Sequence, residues 1–136
     1  MTFSSNTPSS NNDNFSWIPI IAILNASFAY AVIRYSFFGP IGMEHWPSYI
    51  TNKAISVFAV GLLALSAWNY AQGRKESSRQ QGRLVWHAAL IHSGLSLALL
   101  QADYYPAFFS TKGMNAMGEL VILFGVIGTY ALWQIS

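Results

Sequence analysis

The sequence predicts an all-α fold, an integral membrane four-helix bundle, because it has little charge and long apolar runs. Only 9% of its 136 residues are charged, whereas 53% are hydrophobic. A soluble domain carries roughly 25% charged residues, so this chain has too few of them to cover a surface in water. The apolar runs show no strand-like alternation, which argues against a membrane β-barrel.

Four apolar runs approach the roughly 20 residues that a helix needs to cross a bilayer. The predicted spans are Trp17 to about Phe38, Ala54 to Ala71, Leu84 to Gln101 and Asn115 to Ile135. Aromatic residues gather near their ends, as is typical of the membrane–water interface. Residues 17–136 are therefore expected to form one four-span transmembrane domain, with the lipid bilayer as its surroundings.

Residues 1–16 differ from this domain in composition. They are rich in Ser and Asn and contain no Lys or Arg, so they lack the basic region of a secretory signal peptide. The segment is predicted to be a disordered polar tail.

The basic residues predict an orientation in the membrane. They are densest between the second and third predicted spans, at Arg74, Lys75, Arg79 and Arg83. The positive-inside rule places this loop in the cytoplasm. Both chain ends would then also be cytoplasmic, in an inner or plasma membrane.

The net charge of +2 is too small and too scattered to indicate nucleic-acid binding.

Two histidines occur in the third predicted span, where ionisable groups are costly and suggest a function. His92 lies near the middle of this span and His87 lies five residues earlier. That spacing corresponds to about 7.5 Å along a helix and about 140° around it. The two rings therefore do not share a face, and at most one of them is expected to bind a cofactor.

Each histidine has two interpretations. His92 is either the metal ligand of a haem iron or the hydrogen-bond partner of a Ser or Asn on another helix, with Asn25, Ser27 and Ser66 as candidates. His87, beside Trp86, is either a cofactor ligand or a polar anchor at the interface.

Other polar residues suggest weaker hypotheses. His45 and Glu44, together with Asp103 and Glu119, form either a carboxylate–histidine metal site or solvated loops. Arg34 is expected to pair with Glu119, extend to the interface or contact a haem propionate.

Several sites are excluded by the residue types and motifs. The chain has no cysteine, so disulfides, thiolate metal sites and cysteine nucleophiles are ruled out. It also has no glycine-rich phosphate loop, nucleophile elbow or HExxH motif.

Asn25, in the middle of the first predicted span, is expected to form an interhelical hydrogen bond.

Three segments carry a resemblance to a known family. They are "YAVIRYSFFGPIGMEHWPSYITNKAISVFAVGLLALSAW", "GRLVWHAALIHSGLSLALLQADYYPAFF" and "GMNAMGELVILFGVIGTYAL". Over about Tyr30 to Leu132 they resemble the ferric-reductase-like transmembrane domain proteins. The resemblance implies a cytochrome b-like electron-transfer subunit that binds haem b. The family's haem-ligating histidine falls on His92, in "ALIH", whereas His87 has no clear counterpart.

The chain departs from that family after the fourth predicted span. Family members continue with further spans, whose histidines complete the pairs of haem ligands, but this sequence ends at Ser136. It is therefore expected to be a truncated relative, to receive a ligand from a redox partner subunit or homo-oligomer, or to lack haem. It would at most be the membrane subunit of an oxidoreductase. The alternatives are a haem-free membrane assembly or packing protein and a small transporter.

Overall fold

The computed structural model describes residues 15–38, 47–111 and 113–135. These residues form four α-helices, so the predicted all-α class is confirmed. The helices are α1 (Ile18–Val32), α2 (Ser48–Ala71), α3 (Lys75–Ala98) and α4 (Ala116–Ile135). A π-helical turn, Ile33–Phe37, extends α1. A 3-10 turn, Pro106–Phe108, and a small antiparallel hairpin of β1 (Phe109–Ser110) and β2 (Gly113–Met114) connect α3 to α4.

Among the described residues, three helices are long and apolar enough to cross a membrane, namely Ile18–Phe37, Ser48–Ala71 and Ala116–Gln134. The prediction of a fourth such span is corrected, since α3 does not reach that apolarity. Its first residues, KESSRQQGR, were expected to form a loop but are helical, and they and the two histidines make α3 more polar. This polar start is helical because it packs along the end of α2.

The described residues bury several polar side chains, besides nine apolar ones, and expose many large apolar side chains. The buried polar residues are Ser27, Asn52, Ser66, Asn69, Ser77 and Gln81. Large apolar side chains lie on the outside of all four helices, and only 6% of the apolar window of α4 is buried. In water the hydrophobic effect would favour the reverse arrangement. The distribution instead fits helices surrounded by lipid, where polar groups must pair with each other.

α2 and α3 form an antiparallel hairpin whose turn is set by a glycine. Gly73 has a positive φ of 78°, which glycine adopts without steric cost. Its N–H donates to Tyr70 O at 3.0 Å, and the N–H of Arg74 donates to Asn69 O at 2.9 Å. This pair of bonds is a Schellman motif, which ends α2 and satisfies its last carbonyl groups.

Buried hydrogen bonds join α2 to α3 near this turn. Asn69 Nδ2 donates to Gln81 Oε1 at 2.8 Å. Ser66 Oγ donates to the backbone oxygen of Ser78 at 2.9 Å. Because both pairs are inside the hairpin, they fix how far α3 slides along α2.

α1 packs closely on α2 at a glycine. A Cβ atom added to Gly61 would lie 2.6 Å from Ile23 Cγ2, so a larger residue would force the two helices or the Ile23 side chain to shift. In α4, by contrast, a Cβ added to Gly125 or Gly128 would meet nothing within 4 Å. The α4 glycines therefore make no close helix contact in the described structure.

α4 is attached mainly at its start. Asn115 caps the helix, because its Oδ1 accepts a hydrogen bond from the Gly118 N–H at 3.0 Å. Its Nδ2 donates to Ala107 O at 2.8 Å. Further along, Ser93 and Thr129 join α3 to α4 through their hydroxyl groups at 3.1 Å. Between these attachments the two helices stand apart and leave space for a cavity.

Candidate functional site

His92 is half-buried on α3 and is bound to α2 through one ring nitrogen. Its Nδ1 lies 2.7 Å from Asn52 Oδ1 and 3.2 Å from the Asn52 backbone oxygen. A backbone carbonyl can only accept a hydrogen bond, so Nδ1 must carry the proton. Nε2 of the neutral ring is then unprotonated, which is the form that binds a metal or accepts a hydrogen bond.

Asn52 is completely buried, with 0% exposure. Its Nδ2 donates to Ser96 Oγ at 3.0 Å and to Tyr105 Oη at 3.3 Å. These two acceptors use both amide hydrogens, so the amide oxygen is directed to His92. His92 and Ser96 are four residues apart and share one face of α3. The amide therefore joins α2, α3 and the α3–α4 connection at one point.

Tyr105 closes this network from outside the spanning segments. Burial raises the pKa of its phenol above the ordinary value, although the hydrogen bonds from Asn52 and Ser96 oppose that shift. The phenol therefore stays protonated at neutral pH. Its ring also stacks on Phe108, with centroids 5.5 Å apart, which holds the connection against the bundle.

A cavity of about 600 Å³ lies between α3 and α4, and His92 forms part of its wall. Its size is within the roughly 300–1,000 Å³ of small-molecule and cofactor sites. The wall is mainly apolar and aromatic, and includes Trp86, Leu97, Leu100, Phe108, Val126 and Trp133. The polar groups that reach it are few, among them Lys53, Ser96 and Thr129. An apolar wall with a few polar groups is typical of a cofactor or ligand site.

Lys53 brings a positive charge to this cavity. Its Nζ lies 4.8 Å from the ring centroid of Tyr105, 5.1 Å from that of Tyr49 and 5.9 Å from that of Tyr35. These distances are within the range of cation–π contacts. In the part of the chain that the structure describes, no carboxylate is paired with this ammonium group.

His87 lies on a different face of α3, as its spacing from His92 predicts. It is exposed, and its Nδ1 lies 2.7 Å from the backbone oxygen of Arg83 in its own helix. It does not line the cavity beside His92. A cofactor role for His87 therefore stays a prediction to which the cavity adds nothing.

The hypothesis of a carboxylate–histidine metal site receives no support. His45 and Glu44 lie outside the described residues, while Asp103 and Glu119 are exposed. Residues 15–38, 47–111 and 113–135 contain no group of three or more His, Cys, Asp or Glu side chains that could hold a metal ion. A single-histidine haem site is a different arrangement, which this finding does not concern.

Two other expected contacts are not found, namely the interhelical hydrogen bond of Asn25 and the pairing of Arg34 with Glu119. The other two alternatives for Arg34, extension to the interface and contact with a haem propionate, stay predictions. Asn25 is exposed and donates to the Ile21 oxygen at 3.0 Å, so its amide bonds to its own helix instead of a neighbouring one. Arg34 donates to the Phe38 oxygen at 3.3 Å and lies 5.7 Å from the Tyr35 ring. Its partner is the end of its own helix and not Glu119.

Sequence reasoning missed Asn52, Lys53 and Tyr105. It expected a Ser or Asn on another helix as the alternative partner of His92, which is the correct kind of group. However, Asn52 was placed in the loop before the second span and was not considered. A signal was present, because a buried amide and a buried imidazole on adjacent antiparallel helices are expected to pair.

Comparison of the chain with protein-family models, curated proteins and solved structures finds no match. The resemblance to the ferric-reductase-like transmembrane proteins therefore stays a prediction. The structure itself shows helices that fit a membrane, together with an oriented histidine beside an apolar cavity.

The hydrogen bond between Asn52 and His92 predicts energetic coupling between these residues. The free energies of unfolding of Asn52→Ala, His92→Ala and the double variant should be non-additive by about 1 kcal/mol, the size of an interhelical hydrogen bond in a membrane protein. Denaturant titration in detergent micelles measures them. Asn69→Ala combined with His92→Ala is the matched control and should be additive, because Asn69 pairs with Gln81. Equal coupling in both cycles would contradict the assigned pairing.

Proposed function

We propose that the chain is a cytochrome b-like membrane subunit that transfers electrons through haem b, with His92 as an iron ligand. One observation carries this proposal. His92 lines the cavity while its Nδ1 donates to Asn52. Metal-binding histidines usually donate their other ring nitrogen to a carbonyl or carboxylate group, which fixes the tautomer and the ring orientation.

The residues around the cavity fit haem. The Nε2 atom of His92 is unprotonated, as an iron ligand must be. The aromatic and aliphatic wall would exclude water and lower the local dielectric constant, two of the means by which proteins adjust haem potential. When bound, haem b supplies one-electron chemistry. The contributions of this chain are to bind the iron through His92, to orient the ring through Asn52 and to keep water away.

The proposed site needs a partner if its haem has two histidine ligands. His92 is the one histidine on the cavity wall among the described residues. A second axial histidine would have to come from another subunit or from a second copy of the chain. The electron donor is likewise proposed to be a separate redox partner.

A haem-free packing protein is the second candidate function, and a separate observation favours it. The pairs Asn69–Gln81 and Ser66–Ser78 also join α2 to α3, and neither lies beside His92. Polar pairing between these helices therefore occurs without any cofactor site. Under this alternative, the contact between Asn52 and His92 would be one more such pair.

The proposed orientation places the α2–α3 turn in the cytoplasm of a cell with this protein in its inner or plasma membrane. The turn and the first part of α3 carry Arg74, Lys75, Arg79 and Arg83, and cytoplasmic ends of spans favour Lys and Arg. This orientation requires that α3 crosses the bilayer beside α2, although α3 is less apolar than the other helices. The hairpin of β1 and β2 would then lie on the outer side, with both chain ends in the cytoplasm.

The absence of native cysteine makes this orientation testable with single-cysteine variants. Gln72→Cys, in the α2–α3 turn, should react with a membrane-impermeant maleimide only after the cells are permeabilised. Thr111→Cys, in the exposed β1–β2 hairpin, should react in intact cells. The reverse labelling pattern would contradict the proposed orientation.

Haem binding is tested by the reduced-minus-oxidised absorption spectrum of purified protein that was expressed with a haem supply. We expect a Soret band in the wild type and in His87→Ala, because His87 is exposed outside the cavity. A sharp reduced α-band should accompany it where a second copy of the chain supplies the other histidine ligand. The bands should disappear in His92→Ala.

The two histidine variants are matched, since each removes an imidazole from α3. A flat spectrum from well-folded wild-type protein would overturn the haem proposal and favour the packing role. Loss of the bands in His87→Ala but not in His92→Ala would overturn the assignment of the ligand.

A further inference from the structure

Lys53 is the feature of the cavity that the proposed function does not yet use. It lies about one and a half turns inside α2, in a helix that is long and apolar enough to cross a membrane. A charge at such a position is costly unless it is paired. Within the described residues no carboxylate pairs with it, and the groups that surround its ammonium are three tyrosine rings.

Among the described residues, the contacts of this ammonium group are with aromatic rings and not with a hydrogen-bond acceptor. The rings hold the charge by their electron-rich faces, but an ammonium group also has three N–H donors. Lys53 lines the cavity as well as contacting the rings, so a molecule in the cavity has access to it. The group that best complements a compact ammonium in apolar surroundings is an anionic oxygen, since such charge-assisted hydrogen bonds are the strong ones.

We propose that Lys53 binds a carboxylate of the ligand in this cavity, and specifically a propionate group of haem. This inference rests on the proposed function. Lys53 directly follows Asn52, which holds His92. The same turn of α2 would therefore position both the iron ligand, indirectly, and the propionate, directly.

This assignment gives the macrocycle a direction. The ammonium group is enclosed in part by Tyr105, from the α3–α4 connection, at 4.8 Å. Lys53 would therefore hold the propionate-bearing edge of a bound haem near that connection, and the apolar wall of α3 and α4 would contact the remaining edge. Lys53 thus acts as the residue that distinguishes the two edges of a ligand whose remaining surface is apolar.

The competing explanation is that Lys53 only extends toward the membrane surface. Long basic side chains near the end of a span often place their charge at the interface. In that case the charge would stabilise no ligand carboxylate. The two explanations differ in whether binding depends on the propionates.

The test compares haem with haem dimethyl ester, in which both propionates are esterified while the iron and the ring are unchanged. Soret titration of each porphyrin into purified protein gives two dissociation constants, and their ratio is the readout. Wild-type protein should prefer haem about tenfold or more, as a charge-assisted hydrogen bond gives. Lys53→Gln should weaken haem binding by that factor and leave ester binding unchanged, so that the preference disappears.

Lys75→Gln is the matched control, because Lys75 is exposed at the start of α3 and does not line the cavity. It should keep the wild-type preference. Lys53→Arg retains the charge and should also keep most of it, which guards against a folding defect in Lys53→Gln. Circular dichroism and size-exclusion chromatography check that each variant is folded.

The outcomes separate the two proposals. If Lys53→Gln binds haem and prefers it over the ester as strongly as the wild type does, the role of Lys53 is overturned while haem binding stands. If folded wild-type protein binds neither porphyrin, the proposed function is overturned and the propionate assignment with it.

Discussion

The hydrogen bond between Asn52 and His92 is the contact on which the site depends. Asn52 is completely buried, and a buried amide without partners costs free energy that no nearby water can recover. Its donors are used by Ser96 and Tyr105, and its oxygen by His92. A rotation of the imidazole would leave part of this network unpaired. The ring is therefore held in one orientation and one tautomer before any ligand arrives.

The bundle combines a tightly joined pair of helices with a loosely attached one. α2 and α3 are held by the Schellman turn and by the pairs Asn69–Gln81 and Ser66–Ser78. α4 is held at its N-terminal cap, by one contact between hydroxyl groups and by Leu132, which packs on the buried cluster of Ile20, Leu62 and Val85. α2 and α3 hold Lys53 and His92 in fixed positions, and the space between α3 and α4 forms the cavity that a ligand could occupy. Rigid support for the polar groups is what a cofactor site requires.

Composition was enough to predict the helices, because the low charge and the long apolar runs leave few other folds. The spacing of His87 and His92 was enough to separate their faces. The sequence predicted the kind of partner that His92 has, a Ser or Asn on another helix, but not which residue it is. The choice of Asn52 depends on how far α3 slides along α2, which pairs such as Asn69–Gln81 decide. The sequence predicted that the third helix begins at Leu84, whereas α3 begins at Lys75. The polar residues between these positions are helical because they pack on α2. For Asn25 the sequence predicted a hydrogen bond to another helix, whereas its amide donates to the Ile21 oxygen of its own helix.

The most direct test of this account is the tautomer of His92 in the haem-free protein. In a variant with His45→Gln and His87→Gln, His92 is the only remaining histidine, and ¹⁵N NMR of histidine-labelled protein resolves its two nitrogens. The account predicts a protonated Nδ1 and an unprotonated Nε2 at neutral pH. Replacement of Asn52 by leucine should weaken this preference, because it removes the 2.7 Å contact with the amide oxygen and keeps the backbone oxygen at 3.2 Å. A proton on Nε2 in the presence of Asn52 would contradict it, because the ring would then offer no lone pair to an iron in the cavity.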